Sequence, residues 1–375
     1  MAAPPRDTSV VLYEFYGLPH HADDLSLAGH LVQRLSDAVA TWGPELAVLG
    51  ERAPLWEEPG AVDSLPAPQG DIPQTYLALA AESPREGCEY AEVVLYRAHD
   101  VMGIQLLVYS AARDADELRT LADAWLPEAK PADDTAAVLL GRTTLVHYVV
   151  DDEPSDAEDA ARPSPGELHV ATRAGGLSVT DDSPGRREYL LLTPKSLEDA
   201  AAAVVQWSGR PDQLHLFPAL EMSRCKTAYE ASEYAAAKTT LAVTERKLSQ
   251  LRRETVHGDM GGRGRMADLL RECVDEPRGR GARALTESLC HLISVHGGLA
   301  NQLSWLDDLA RSIEVNAINF ERAATALRAG RGDEADLFAQ DAAVMQQQLE
   351  QLSTDMGYRR SVAARASHAV DSARA

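Results

Sequence analysis

Residues 89–111 read EYAEVVLYRAHDVMGIQLLVYSA. Two apolar runs rich in Val, Leu and Ile flank a polar RAHD, the pattern of two strands joined at a polar tip. Asp bonds its own backbone in a reversal and Gly tolerates positive φ, so Asp100, with Gly103 three residues on, suits a tight turn. His99 beside Asp100 admits another reading, half of a catalytic or metal site. That reading needs converging partners, and spacing alone does not bring His147, His169 or His215 to this tip. The stretch therefore predicts a hairpin.

Working outward, residues 9–17 (SVVLYEFYG) alternate and end at Gly17 and Pro19, as a strand does. Leu27, Leu31, Leu35 and Val39 then recur every four residues on one helical face. After a stretch rich in Pro and Gly over residues 50–74, TYLALAA reads as a further short strand. DADELRTLADAWLPEA predicts a helix presenting Leu118, Leu121 and Trp125 to a sheet, and residues 137–150 return as a strand. Strand, helix, two strands, helix, strand is the order of a split βαβ unit. Clustered acids and prolines over residues 151–166 read as a solvated linker. Beyond it come a hairpin with its turn at Gly175-Gly176, the strand EYLLLTP, a helix capped by Ser196, and QLHLFPAL as a closing strand.

From Ser223 the apolar period changes from two to about 3.5. Tyr234, Leu241 and Leu248 are spaced by seven, and HGDMGGRGR breaks the pattern as a flexible joint. Leu292, Leu299, Leu306, Ile313, Phe320 and Leu327 then hold one heptad position, with Val295, Leu309 and Ala323 in a second seam. Gly297-Gly298 inside this run predicts a kink, a close helix crossing or the true helix start. Phe338, Ala342, Met345, Leu349, Leu352 and Met356 mark a last helix. The predicted fold is α+β: an N-terminal α/β-sandwich-like part of ferredoxin-like split βαβ units, then a C-terminal helical bundle or coiled-coil hairpin. Its parts are a first α+β unit (8–150), the acidic linker (151–166), a second, smaller α+β unit (167–222) and the bundle (223–375).

The composition narrows the function classes. A net charge of −22 over 375 residues repels phosphate backbones, so nucleic acid is not an expected partner. No apolar run approaches the roughly 18 residues of a membrane helix, and the start lacks the marks of a signal peptide. The four cysteines are scattered without a CxxC pair, as in a reduced, cytoplasmic protein. No HExxH, GxSxG or GxxxxGK[ST] occurs. His20-His21 reads as an entry loop, and Cys290-His291, adjacent on a helix, diverge by about 100°. No catalytic, cofactor-binding or metal-ligating residue is assigned.

VVLYEFYG at the start, VLYRAHDVMGIQLLVY, HLFPALEMSRCKTAYEASEYAA and LSWLDDLARSIEVNAINFERA, in that order, resemble the CATRA family (caspase and tetratricopeptide-repeat associated proteins) of actinobacterial conflict systems. The resemblance spans nearly the whole chain. It implies a component of prokaryotic defence or programmed-death operons, encoded near a caspase-like peptidase and repeat proteins. It carries over no catalytic residues, and on it Arg97, His99 and Asp100 mark a family landmark. Three functions stay open: a non-enzymatic adaptor, sensor or regulator; an enzyme with a dispersed site in the α+β part, for example a nucleotide-using one around His99, Asp100 and the histidines on strands; and a structural helical scaffold. For the first, Leu299, Trp305, Leu306, Leu309, Ile313 and Phe320 form the candidate interaction stripe, wider than one neighbouring helix buries. The surplus face must meet the Tyr234–Leu251 helix, the α+β part or another chain, which would be the peptidase, a repeat protein or a second copy.

Overall fold

The computed structural model describes residues 7–17, 31, 47–48, 74–82, 88–98, 101–126, 138–150, 169–172, 175–183, 186–195, 198, 201, 205, 215–252, 280–328 and 337–374. The acidic linker, the His99-Asp100 tip and the glycine-rich joint lie outside them. The strands are β1 (Asp7–Gly17), β2 (Ala47–Val48), β3 (Gln74–Glu82), β4 (Tyr90–Ala98), β5 (Val101–Ser110), β6 (Val138–Val150), β7 (His169–Thr172), β8 (Gly175–Ser183) and β9 (Arg186–Pro194). The helices are α1 (Ala115–Trp125), α2 (Leu216–Arg252), α3 (Arg280–Arg328) and α4 (Leu337–Arg374). The α+β class is as the sequence predicts.

All nine strands share one sheet in the order β2-β3-β4-β5-β1-β6-β9-β8-β7. Neighbours are antiparallel except β6 and β9. Because β1 lies between β5 and β6 and opposes both, β5 and β6 run the same way with α1 as their crossover. That is the split βαβ arrangement. At the centre of the sheet, β1 is buried along almost its whole length. Val10, Leu12 and Tyr16 enter the core shared with Leu118 and Ala122 of α1, whereas Tyr13 packs against Phe217 of α2. Burial on both faces explains why this strand reads as a nearly continuous apolar run.

Local chemistry sets the ends of α1. Asp114 caps its start by accepting from the Glu117 amide at 2.9 Å, and Asp116 and Glu117 add negative charge to the first turn. The helix stops just before Pro127, which disfavours helical backbone in the residue preceding it. Leu118 is fully buried and Leu121 and Trp125 pack at the core's edge, the expected face. Leu31 is helical and buried in the same core. Ala201 and Val205, in the helix expected after Ser196, are likewise helical and buried.

Four expectations are corrected. QLHLFPAL is not a strand, since α2 begins at Leu216. Leucines at 214 and 216 imitate alternation, but Phe217 and Leu220 bury on one helical face, and Pro218 falls in the first turn, where its missing N–H costs nothing. The strands of the expected second unit do not form a sheet of their own. Tyr189, Leu190, Leu191 and Leu192 make β9 apolar on both faces, and it pairs with β6 in the same sheet. Thr172 pairs with Gly175, so the glycine pair opens β8 and does not form the turn. Finally, of the three alternatives at Gly297-Gly298 the helix start is excluded, because α3 runs helically through the pair.

The chain divides into two compact units that differ from the expected break at residue 222. One comprises Met1–Tyr229 with Asn316–Val344, and the other Glu230–Val315 with Met345–Ala375. In the first, Phe320 of α3 meets Phe338 of α4 edge to face, with ring centroids 6.2 Å apart. In the second, segments of the three long helices enclose Tyr234, Leu306, Leu309, Ile313, Leu352 and Met356. Lys238 reaches Asp355 at 3.1 Å there, and the Tyr234 hydroxyl donates to the same carboxylate. No helix among the described residues is long and apolar enough to cross a membrane.

The β4–β5 hairpin depends on one glycine. Gly103 pairs with Tyr96, and a Cβ at Gly103 would clash with the hydroxyl end of the Tyr96 ring. Gly103→Ala is expected to destabilise the chain by about 1–3 kcal/mol, as overpacking does. Urea denaturation should show the loss, and combining it with Tyr96→Ala should remove much of the clash contribution.

Candidate functional site

Charged side chains inside strands that are buried on both faces need partners, and they are where this structure concentrates its polar chemistry. Each face of the sheet carries one such network. On the α1 face, Glu14 of β1 sits opposite Arg142 of β6. Glu14 is fully buried and accepts from Arg142 Nη1 at 3.0 Å and from the Tyr16 hydroxyl at 2.6 Å. The second arm of Arg142 donates to Asp123 of α1 at 2.5 Å, tying the crossover helix to the sheet. Glu188 of β9 adds a half-buried pair with Arg119 at 2.6 Å.

The next residue of β6, Thr143, points to the other face. There Glu221, from the second turn of α2, is fully buried. It accepts from four donor atoms: Thr143 Oγ1 at 2.7 Å, the Tyr189 hydroxyl at 2.6 Å, and Arg224 Nε and Nη2 at 3.0 and 2.7 Å. Arg187 of β9 donates to the Tyr189 hydroxyl at 3.1 Å, and its guanidinium stands 5.9 Å from the centroid of the Tyr189 ring. It also grips both oxygens of Asp341 in α4, at 2.5 and 3.0 Å. Strand β9, α2 and α4 thus meet in one run of charge-assisted bonds. Tyr13 completes this face by donating to the Val205 carbonyl.

The electrostatics follow from burial and charge. Burial works against ionisation of Glu221, but the Arg224 and Arg187 charges and the hydrogen bonds from Arg224 and Tyr189 outweigh it and hold the carboxyl below its ordinary range. Burial pushes the neighbouring Cys225 thiol up to about 11, so it is not a thiolate at neutral pH. Burial also raises the Tyr13 and Tyr189 phenols. His147, on the same face of β6, is held down to about 4 by burial and stays neutral, with Nε2 unpaired among the described residues. A base needs a free lone pair and a nucleophile within reach. Glu221 has its lone pairs occupied, and Cys225 and His147 are in inert forms. Among the described residues no group of three or more His, Cys, Asp or Glu could hold a metal ion.

The residues singled out from sequence fall elsewhere. Arg97 is half-buried on β4, paired with Met102 and Thr75. His99 and Asp100 lie outside the described residues, between the paired Ala98 and Val101. His215 is buried at the start of α2 and not on a strand. The candidate interaction stripe is not a free surface. Leu306, Leu309 and Ile313 are core residues of the second unit with Trp305 packed against them, and Phe320 is buried in the first. The Leu299 side chain lies outside the described set. The breadth of the stripe is explained by two helical neighbours, α2 and α4, the first of them the Tyr234–Leu251 helix named among the alternatives. No protein-family model, curated protein or solved structure matches the chain.

Two outcomes follow. Glu221→Gln leaves Arg224 buried without its counter-charge and is expected to cost about 3–5 kcal/mol in urea denaturation. Glu221→Leu combined with Arg224→Leu should cost less than that single change. The second concerns pH. Burial lifts the Glu92 carboxyl on β4 from 4.5 to about 7, against the hydrogen bond from Tyr90 that lowers it. A raised folded pKa in an acid means stability that is complete below 4.5 and is lost as pH rises through 7. Glu92→Gln should therefore raise the melting temperature at pH 8, where ionising the carboxyl costs about 3 kcal/mol, and change it little at pH 4.

Proposed function

We propose that the protein is a non-enzymatic adaptor, sensor or regulator in a bacterial conflict or antiphage defence system, acting with a caspase-like peptidase and repeat proteins encoded beside it. The observation that carries the non-enzymatic part is the saturation of Glu221. The most concentrated set of charged groups in the described structure bonds to itself, which suits fixing helices on a sheet and leaves no group to attack a substrate. The conflict-system setting rests on the order of the CATRA-like motifs along the chain. Leu306 and Ile313 are buried where α2, α3 and α4 pack together, so a partner would bind other residues.

A second reading, an enzyme with a dispersed site, draws on Glu92, whose carboxyl titrates near neutrality as a general base would. Co-expression with the neighbouring peptidase and repeat proteins separates the two. The adaptor reading predicts that the chain co-elutes with at least one of them in size-exclusion chromatography and alters cleavage by the peptidase. Elution alone, together with turnover of nucleotides by the purified chain that Glu92→Gln abolishes, would favour the enzyme and contradict the adaptor.

A further inference from the structure

The face of the sheet that carries Glu221 has a second polar place, on β4 and β5, which the charge network does not use. Gln105 is 1% exposed, and neither its Nε2 nor its Oε1 has a hydrogen-bond partner among the described residues. Its register neighbours are Val94 on β4, which is apolar, and Tyr13 on β1, whose hydroxyl is given to the Val205 carbonyl. Buried amides in native proteins are bonded, and one with both ends unpaired calls for a specific explanation. Glu92 pairs in register with Leu107, two residues from Gln105, so the two polar side chains are diagonal neighbours on one face. Diagonal positions across an antiparallel pair are roughly 7–8 Å apart, too far for short side chains to touch and well matched to one group bridging two long ones. Glu92 accepts from the Tyr90 hydroxyl at 2.5 Å, and at 6% exposure it is the less buried of the two.

We infer that Gln105 and Glu92 hold between them a small neutral group that both donates and accepts hydrogen bonds: an internal water, or the hydroxyl or amide end of a small molecule. Such a group accepts from Gln105 Nε2 or donates to Oε1 while bonding the Glu92 carboxyl, and a buried water commonly makes about three such bonds.

Gln105→Met keeps the side chain's length and removes both polar atoms. With the bridging group present, the variant should melt at least about 3 °C below wild type, because the Glu92 end of the bridge is left unmatched. A high-resolution crystal structure of the wild-type chain should show density within hydrogen-bonding distance of both side chains. Mass spectrometry of the denatured wild-type protein distinguishes the sources: a released molecule identifies a ligand, and density without one identifies water. A Gln105→Met variant as stable as wild type, or a site without density, would overturn the inference. Should the variant not accumulate, the crystal structure decides alone.

Discussion

A carboxylate removed from water must be surrounded by donors, and the fold is organised by meeting that requirement at Glu221. Three residues from two strands and one helix supply the donors: Thr143, Tyr189 and Arg224. Since Thr143 and Arg142 are consecutive on β6, the strand serves the Glu221 network on one face and the Glu14 network on the other. Alternation along a single strand therefore fixes α1 against one side of the sheet and α2 against the other. Buried ion pairs are weak contributors to net stability, because desolvation offsets much of their attraction, yet removing one partner is expensive. Their effect is to penalise other arrangements of these helices on the sheet.

The same constraint bears on function. A general base or nucleophile has to keep a lone pair available, and burial here consumes or neutralises those groups. Cys225 stays a thiol because burial outweighs the Arg224 and Arg187 charges that favour its thiolate, and His147 stays neutral because burial disfavours its charged form. Groups arranged this way hold a shape. That property suits a protein whose proposed role is to engage other proteins, and the β4–β5 polar place stands apart from it because Gln105 keeps both a donor and an acceptor unused.

Much of the fold was legible because it is periodic. The runs around Val94 and Ile104 announce a hairpin, and the seven-residue spacing from Leu306 to Phe320 announces long packed helices. Two kinds of feature were not legible. The start of α2 was hidden because Leu214, Leu216 and Pro218 look like strand and stop, and only the burial of Phe217 and Leu220 shows the helical face. The charge networks were hidden because their members are far apart in the chain, 128 residues between Glu14 and Arg142 and 154 between Arg187 and Asp341. No local pattern encodes such pairs. A signal was present, however: Glu14 and Arg142 each interrupt an apolar strand run, and a charge in a strand buried on both faces must be paired.

The pair between Arg187 and Asp341 tests the central claim most directly, because it joins β9 to α4 across the longest stretch of sequence in the network. A double-mutant cycle on Arg187→Met and Asp341→Leu, read by urea denaturation, measures how far each residue depends on the other. If the network anchors α4, each single change should be strongly destabilising and the double change little worse than either, with a coupling of about 2 kcal/mol or more, at the upper end of contacting pairs. Additive losses with no coupling would contradict the account, because the two residues would then contribute independently of the bond between them.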